Sequence, residues 1–143
     1  MSKSAALLLF SLLLTSCAES DLAGIAHVAV VPGVTRELAE YRAAVLSDIH
    51  YELEFTIPAS KGDVIDGEVR VTFTRADSDE ALQLDFREKP NNIYSVRVNN
   101  IDIEPRIENE HVVLPADVLS DGVNEVAISF VAGDSSLNRN PDY

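Results

Sequence analysis

Tryptophan is absent from this 143-residue chain, and Cys and Met occur once each. One Cys forms no internal disulfide and cannot build a four-thiolate zinc site. Positive charge is scarce, with 11 Lys and Arg against 24 Asp and Glu and a formal charge of −13. Nucleic-acid affinity comes mostly from cations that neutralise phosphates, so no nucleic-acid partner is expected. Three His are present, His27, His50 and His111. None belongs to a His-Glu-x-x-His pair, and Gly-rich phosphate loops and the Gly-x-Ser-x-Gly elbow are missing as well. No catalytic, cofactor-binding or metal-ligating residue is therefore assigned from motifs. At 46% hydrophobic the composition is that of an acidic globular domain rather than a disordered chain.

The apolar residues that stand out first are N-terminal. Lys3 precedes the run Ala5–Leu14, and small residues come after it. That order is the one of a secretory signal, here residues 1–16. At 1.5 Å per residue the run covers about 15 Å, roughly half of a bilayer core. Leu14-Thr15-Ser16-Cys17 resembles the bacterial lipobox. The motif needs a thiol there to accept the acyl group, and the only Cys of the chain occupies that position. Cys17 is the expected lipid attachment residue. The resemblance implies a lipid anchor in a membrane and a place in the bacterial cell envelope, on the periplasmic or surface face. Stable anchoring takes more than one acyl chain.

Residues 17–34 read as a lipidated tether rich in small residues, although the apolar run Ala26–Val31 also suits an edge strand. Thr35 is an N-cap type, and Leu38, Tyr41, Val45 and Leu46 share one helical face, so a helix ending near Ser47-Asp48 is expected. Beyond it the period becomes two. Tyr51, Leu53, Phe55 and Ile57 alternate with polar residues, as do Val69, Val71 and Phe73, then Leu82, Leu84 and Phe86 with Gln83, Asp85 and Arg87 between them. Each run reads as a strand with one buried and one wet face. Asn99-Asn100, Glu108-Asn109-Glu110 and Asp121-Gly122 have turn chemistry. Pro115–Leu119 suits one helical turn, and Val126, Ile128 and Phe130 make a last strand. Short strands at this spacing predict an all-β, antiparallel sandwich or saddle with one short N-terminal helix, over residues 35–143. Phe55, Phe73, Phe86 and Phe130 are expected in the core. The acidic run Asp77–Glu80 reads as a solvated hairpin tip, because a calcium loop needs further oxygens and a Gly. Residues 133–143 show no periodicity and read as a connection to something further on.

Four segments then suggest a family. Residues 42–55 (RAAVLSDIHYELEF), 67–73 (GEVRVTF), 82–87 (LQLDFR) and 133–143 (GDSSLNRNPDY) resemble, in order, the N-terminal domain of zinc aminopeptidases of the aminopeptidase N (gluzincin) type. In that family the zinc helix and the motif that binds the substrate amine lie in a separate catalytic domain, and neither motif is in this chain. The resemblance implies a non-catalytic N-terminal scaffold or fragment of a secreted lipoprotein aminopeptidase. Zinc would be a cofactor of the parent enzyme, and the missing catalytic domain a partner. The alternative is a free-standing cell-surface lipoprotein sandwich that binds a protein or a glycan. A fragment should leave a sheet edge unpaired, whereas a finished module should cover or blunt its edges.

Overall fold

The computed structural model describes residues 28–76 and 78–132. Cys17, His27, Asp77 and the stretch 133–143 lie outside them. Helix α1 (Arg36–Val45) opens on Thr35, whose Oγ1 accepts the Leu38 N–H at 3.1 Å. A cap of this kind contributes about 1 kcal/mol. Leu38, Tyr41 and Val45 face inward at three- and four-residue spacing. The helix stops earlier than the periodicity predicts. Leu46 is already extended and opens strand β1 (Leu46–Thr56) without a linker. Pairing with the next strand begins there, Leu46 opposite Arg75, and the Val45 carbonyl accepts from the Ala76 N–H at 2.8 Å. A bulge interrupts the pairing between Ser47 and His50, with Asp48 at φ 51°, a conformation that Asp tolerates.

The remaining strands are β2 (Ile65–Arg75), β3 (Leu82–Asp85), β4 (Ile93–Val98), β5 (Ile101–Ile103), β6 (Ile107–Glu108), β7 (His111–Leu114) and β8 (Gly122–Ala132). Single 3-10 turns, Pro90–Asn92 and Ala116–Val118, precede β4 and β8. All pairings are antiparallel and form two sheets, a five-stranded one in the order β1-β2-β8-β4-β5 and a three-stranded one in the order β3-β7-β6. The fold is the expected all-β, sandwich-like domain with one short helix. Its core joins Leu38, Tyr41 and Val45 of α1 to Val71 and Phe73 of β2, Val126 and Ile128 of β8, Val96 and Val98 of β4, and Leu82, Val112 and Leu114 of the small sheet.

The expected turns are present. Asn99 and Asn100 both have positive φ, as do Asn109 and Glu110, which suits two-residue hairpins whose twist matches the strands. Asn124, on β8, is buried and ties two of these connections together. Its Oδ1 accepts from Ser120 N at 2.8 Å and from Asn99 Nδ2 at 2.9 Å. Its Nδ2 donates to the carbonyls of Ser120 at 2.8 Å and Gly122 at 3.0 Å. Gly67 of β2 meets a packing demand. A Cβ there would lie 2.6 Å from the Phe130 ring, so the ring rests over a position without a side chain.

The described part of the acidic run, Ser78–Glu80, is not the tip of a hairpin, although Asp79 is exposed. β2 and β3 belong to different sheets, and the connection folds over buried Arg75, whose guanidinium donates to the carbonyls of Ser78 and Glu80. Tyr41 Oη reaches Ser78 Oγ and the Glu80 carbonyl as well. Removing the Asn124 amide strands several buried partners at once, so Asn124→Ala should lower stability by about 2–3 kcal/mol. A denaturant midpoint that moves while the slope of the transition stays constant would verify this.

Candidate docking cleft and its polar hinge

The two sheets do not match in extent. The inner-face residues of β2, β8 and β4 are buried in one core with the small sheet. The inner face of β1, by contrast, has nothing over it among the described residues. Ile49, Tyr51, Leu53 and Phe55 are 50%, 56%, 57% and 40% exposed. Period-two alternation predicted this face to be buried, Phe55 included, and the structure corrects that. Alternation reports that a strand has two unlike faces; it does not supply the layer that covers one of them. Ile57, beyond the strand, is exposed too.

The result is an open cleft of about 630 Å³, floored by Val69, Val71, Ile128 and Phe130. Ile49, Tyr51 and Leu53 form one wall, and Leu84 with Phe86 at the β3 edge forms the other. The volume falls in the range of ligand-binding clefts. Phe130 organises one end. Its ring stands edge-on to Phe55 at 6.2 Å and to Phe86 at 6.1 Å, an arrangement that favours aromatic pairs.

A polar cluster closes the end of the cleft near α1. Arg42 projects from the last turn of the helix and donates through NH2 to Asp85 Oδ1 at 2.7 Å and to the Gln83 carbonyl. Asp85 Oδ1 also lies 3.1 Å from Nδ1 of His111, outside hydrogen-bond alignment. The two residues are opposite each other in the β3–β7 register. His111 is buried, and its Nε2 sits 3.0 Å from the carbonyls of both Val31 and Gly33. Two acceptors at that nitrogen require it to carry a proton. Partial burial pushes the Asp85 pKa upward, but the hydrogen bond and charge of Arg42, with His111, outweigh it and hold the carboxyl below the usual range.

The same cluster holds the described part of the stretch read as a tether. Gln83, expected on a wet face, is buried and donates through Nε2 to the Val28 carbonyl at 3.1 Å. Asn109 Nδ2 donates to the Val30 carbonyl at 2.8 Å. With His111 these residues strap 28–33 across the outer face of the small sheet, which is why all four residues of β7 are buried. No strand forms in that stretch.

His50 is exposed on the outer face of β1, 3.8 Å from Glu52. The three His are therefore not brought together by any described contact. Among the described residues no three His, Cys, Asp or Glu are grouped as a metal site. No helix among the described residues is long and apolar enough to cross a membrane. In comparison with known proteins, no family model matches the chain and no curated protein matches it.

The lowered pKa of Asp85 fixes a pH dependence. A depressed folded-state pKa contributes stability above the unfolded value, about 3.9, and that stability is lost as pH falls through the folded value. Asp85→Asn should therefore destabilise at neutral pH and flatten part of the acid limb below about pH 4. Solvent exposure of the carboxylate keeps the effect on the order of 1 kcal/mol or less. Thermal melts of both proteins between neutral and acid pH read it directly.

Proposed function

We propose that this chain is a non-catalytic N-terminal scaffold domain, or fragment, of a secreted lipoprotein zinc aminopeptidase of the aminopeptidase N type. The parent activity is removal of N-terminal amino acids from peptides. The observation that carries the reading is the bare inner face of β1. A row of apolar side chains beside a sheet edge with no paired neighbour among the described residues is what a domain presents when more polypeptide packs against it. The order of the four resembling segments supports the same reading. In the parent, zinc and the residues that hold it belong to the catalytic part. This chain contributes a wall and an anchor, through Cys17, in the bacterial cell envelope.

The second reading is a free-standing lipoprotein module that binds a protein or a glycan. The ligand-sized cleft beside β1 favours it. The readings separate on the coding sequence after Tyr143, since a continuation that carries His-Glu-x-x-His belongs to the first alone.

Two outcomes are expected at the bench. The purified chain supplied with zinc should leave aminoacyl-anilides intact, and turnover abolished by a chelator would overturn the scaffold reading. Cys17→Ala should move the protein expressed in bacteria from the detergent phase to the aqueous phase. Continued partition into detergent would refute the anchor.

A further inference from the structure

We infer that the free edge of β1 is built to accept one extended polypeptide segment in which apolar residues alternate with Lys or Arg. The inference rests on the scaffold reading, under which the catalytic part of the parent supplies that segment. β1 is the outermost strand of its sheet among the described residues, and β2 occupies its other side from Leu46 to Thr56. An added strand sits about 4.8 Å away and continues the pleat, so its side chains alternate between the same two faces.

On the inner face they would lie beside Tyr51 and Leu53, over the open cleft, and apolar residues suit that position. The outer face is set by charge. Glu54 stands directly opposite Glu68 of β2, a like-charge pair that destabilises. No cation among the described residues lies within ion-pair distance of Glu54. The guanidinium of Arg70, opposite Glu52 in the register, is divided among three carboxylates: Glu52 at 3.4 Å, Glu68 at 3.6 Å and Glu125 at 3.8 Å. The outer face is thus short of positive charge next to the edge, and cations on an added strand would supply it.

The same electrostatics argue against a second copy of this chain. Two β1 strands paired about Leu53 set Glu52 of each against Glu54 of the other, and each chain brings a net charge of −13. Acidic residues that merely discourage strand pairing are the simpler account of an edge. That account predicts rejection of every strand, whereas the present one predicts selection by sign and by alternation.

The probe is a seven-residue capped peptide that alternates Lys with Val or Ile. Its controls are the same residues in an order that breaks the alternation, and the alternating peptide with Glu for Lys. The alternating Lys peptide should bind the chain, with new hydrogen-exchange protection at backbone amides of residues 50–56. The reordered and the Glu peptides should bind about tenfold more weakly, from the loss of two or three cross-strand pairs. E52K/E54K, a change at exposed positions, should reverse the preference between Lys and Glu peptides. Equal binding of the alternating and reordered peptides would overturn the inference, as would no binding at millimolar peptide or an unreversed preference in E52K/E54K. None of these results bears on the coding sequence beyond Tyr143, so the inference can fail while the scaffold reading stands.

Discussion

The pairing of β2 with β8 sets the frame for everything else. It runs from Ile65 opposite Ala132 to Arg75 opposite Gly122, in unbroken register. A shift of one residue would turn either Val71 and Phe73 or Val126 and Ile128 out of the core, so the register is fixed by burial. Gly67 locks one end, because only a missing side chain lets the Phe130 ring lie across it. Asn124 locks the other by occupying the polar groups of the turn before β8. Every remaining strand is added to this pair or laid over it.

The layer laid over it is too small. Three short strands share a core with β2, β8 and β4, and the apolar face of β1 is left exposed beside it. The boundary between covered and uncovered sheet is also where the charged groups gather. The Arg42–Asp85 ion pair, beside buried His111, stands between the dry core and the open cleft where α1, β3 and β7 meet, and partial solvation of that pair keeps the cost of holding its charge low. The polar cluster is thus a hinge pin between layers, and the apolar floor starts directly beside it.

Much of this was legible in the amino-acid order. Thr35 marked the start of α1, Asn99-Asn100 and Glu108-Asn109-Glu110 marked two hairpins, and period-two alternation located the strands. Three things were not legible, each for a physical reason. Alternation in Tyr51, Leu53 and Phe55 signals a face meant for burial but carries no information about the covering layer. Gln83 read as wet because its polarity is visible and its partner, the Val28 carbonyl, is not, and nothing in the order marked Asn124 or His111 as buried. The acidic run Asp77–Glu80 looked like a hairpin tip because local composition does not say that β2 and β3 belong to different sheets. Cys17 and the closing residues 133–143 lie outside the described residues, so their readings stand on sequence alone.

The strap formed by residues 28–33 has a consequence for how this protein tolerates change. Its fastening uses carbonyl oxygens of Val28, Val30, Val31 and Gly33, groups that every amino acid provides, while the side chains that grip them belong to Gln83, Asn109 and His111. Substitution within the strap therefore leaves the fastening chemistry intact, save where Val28 fills the core and Gly33 bends at φ 77°. Substitution at any of the three gripping positions removes a contact with a strap carbonyl. Sequence freedom and sequence constraint are thus separated onto opposite sides of one interface.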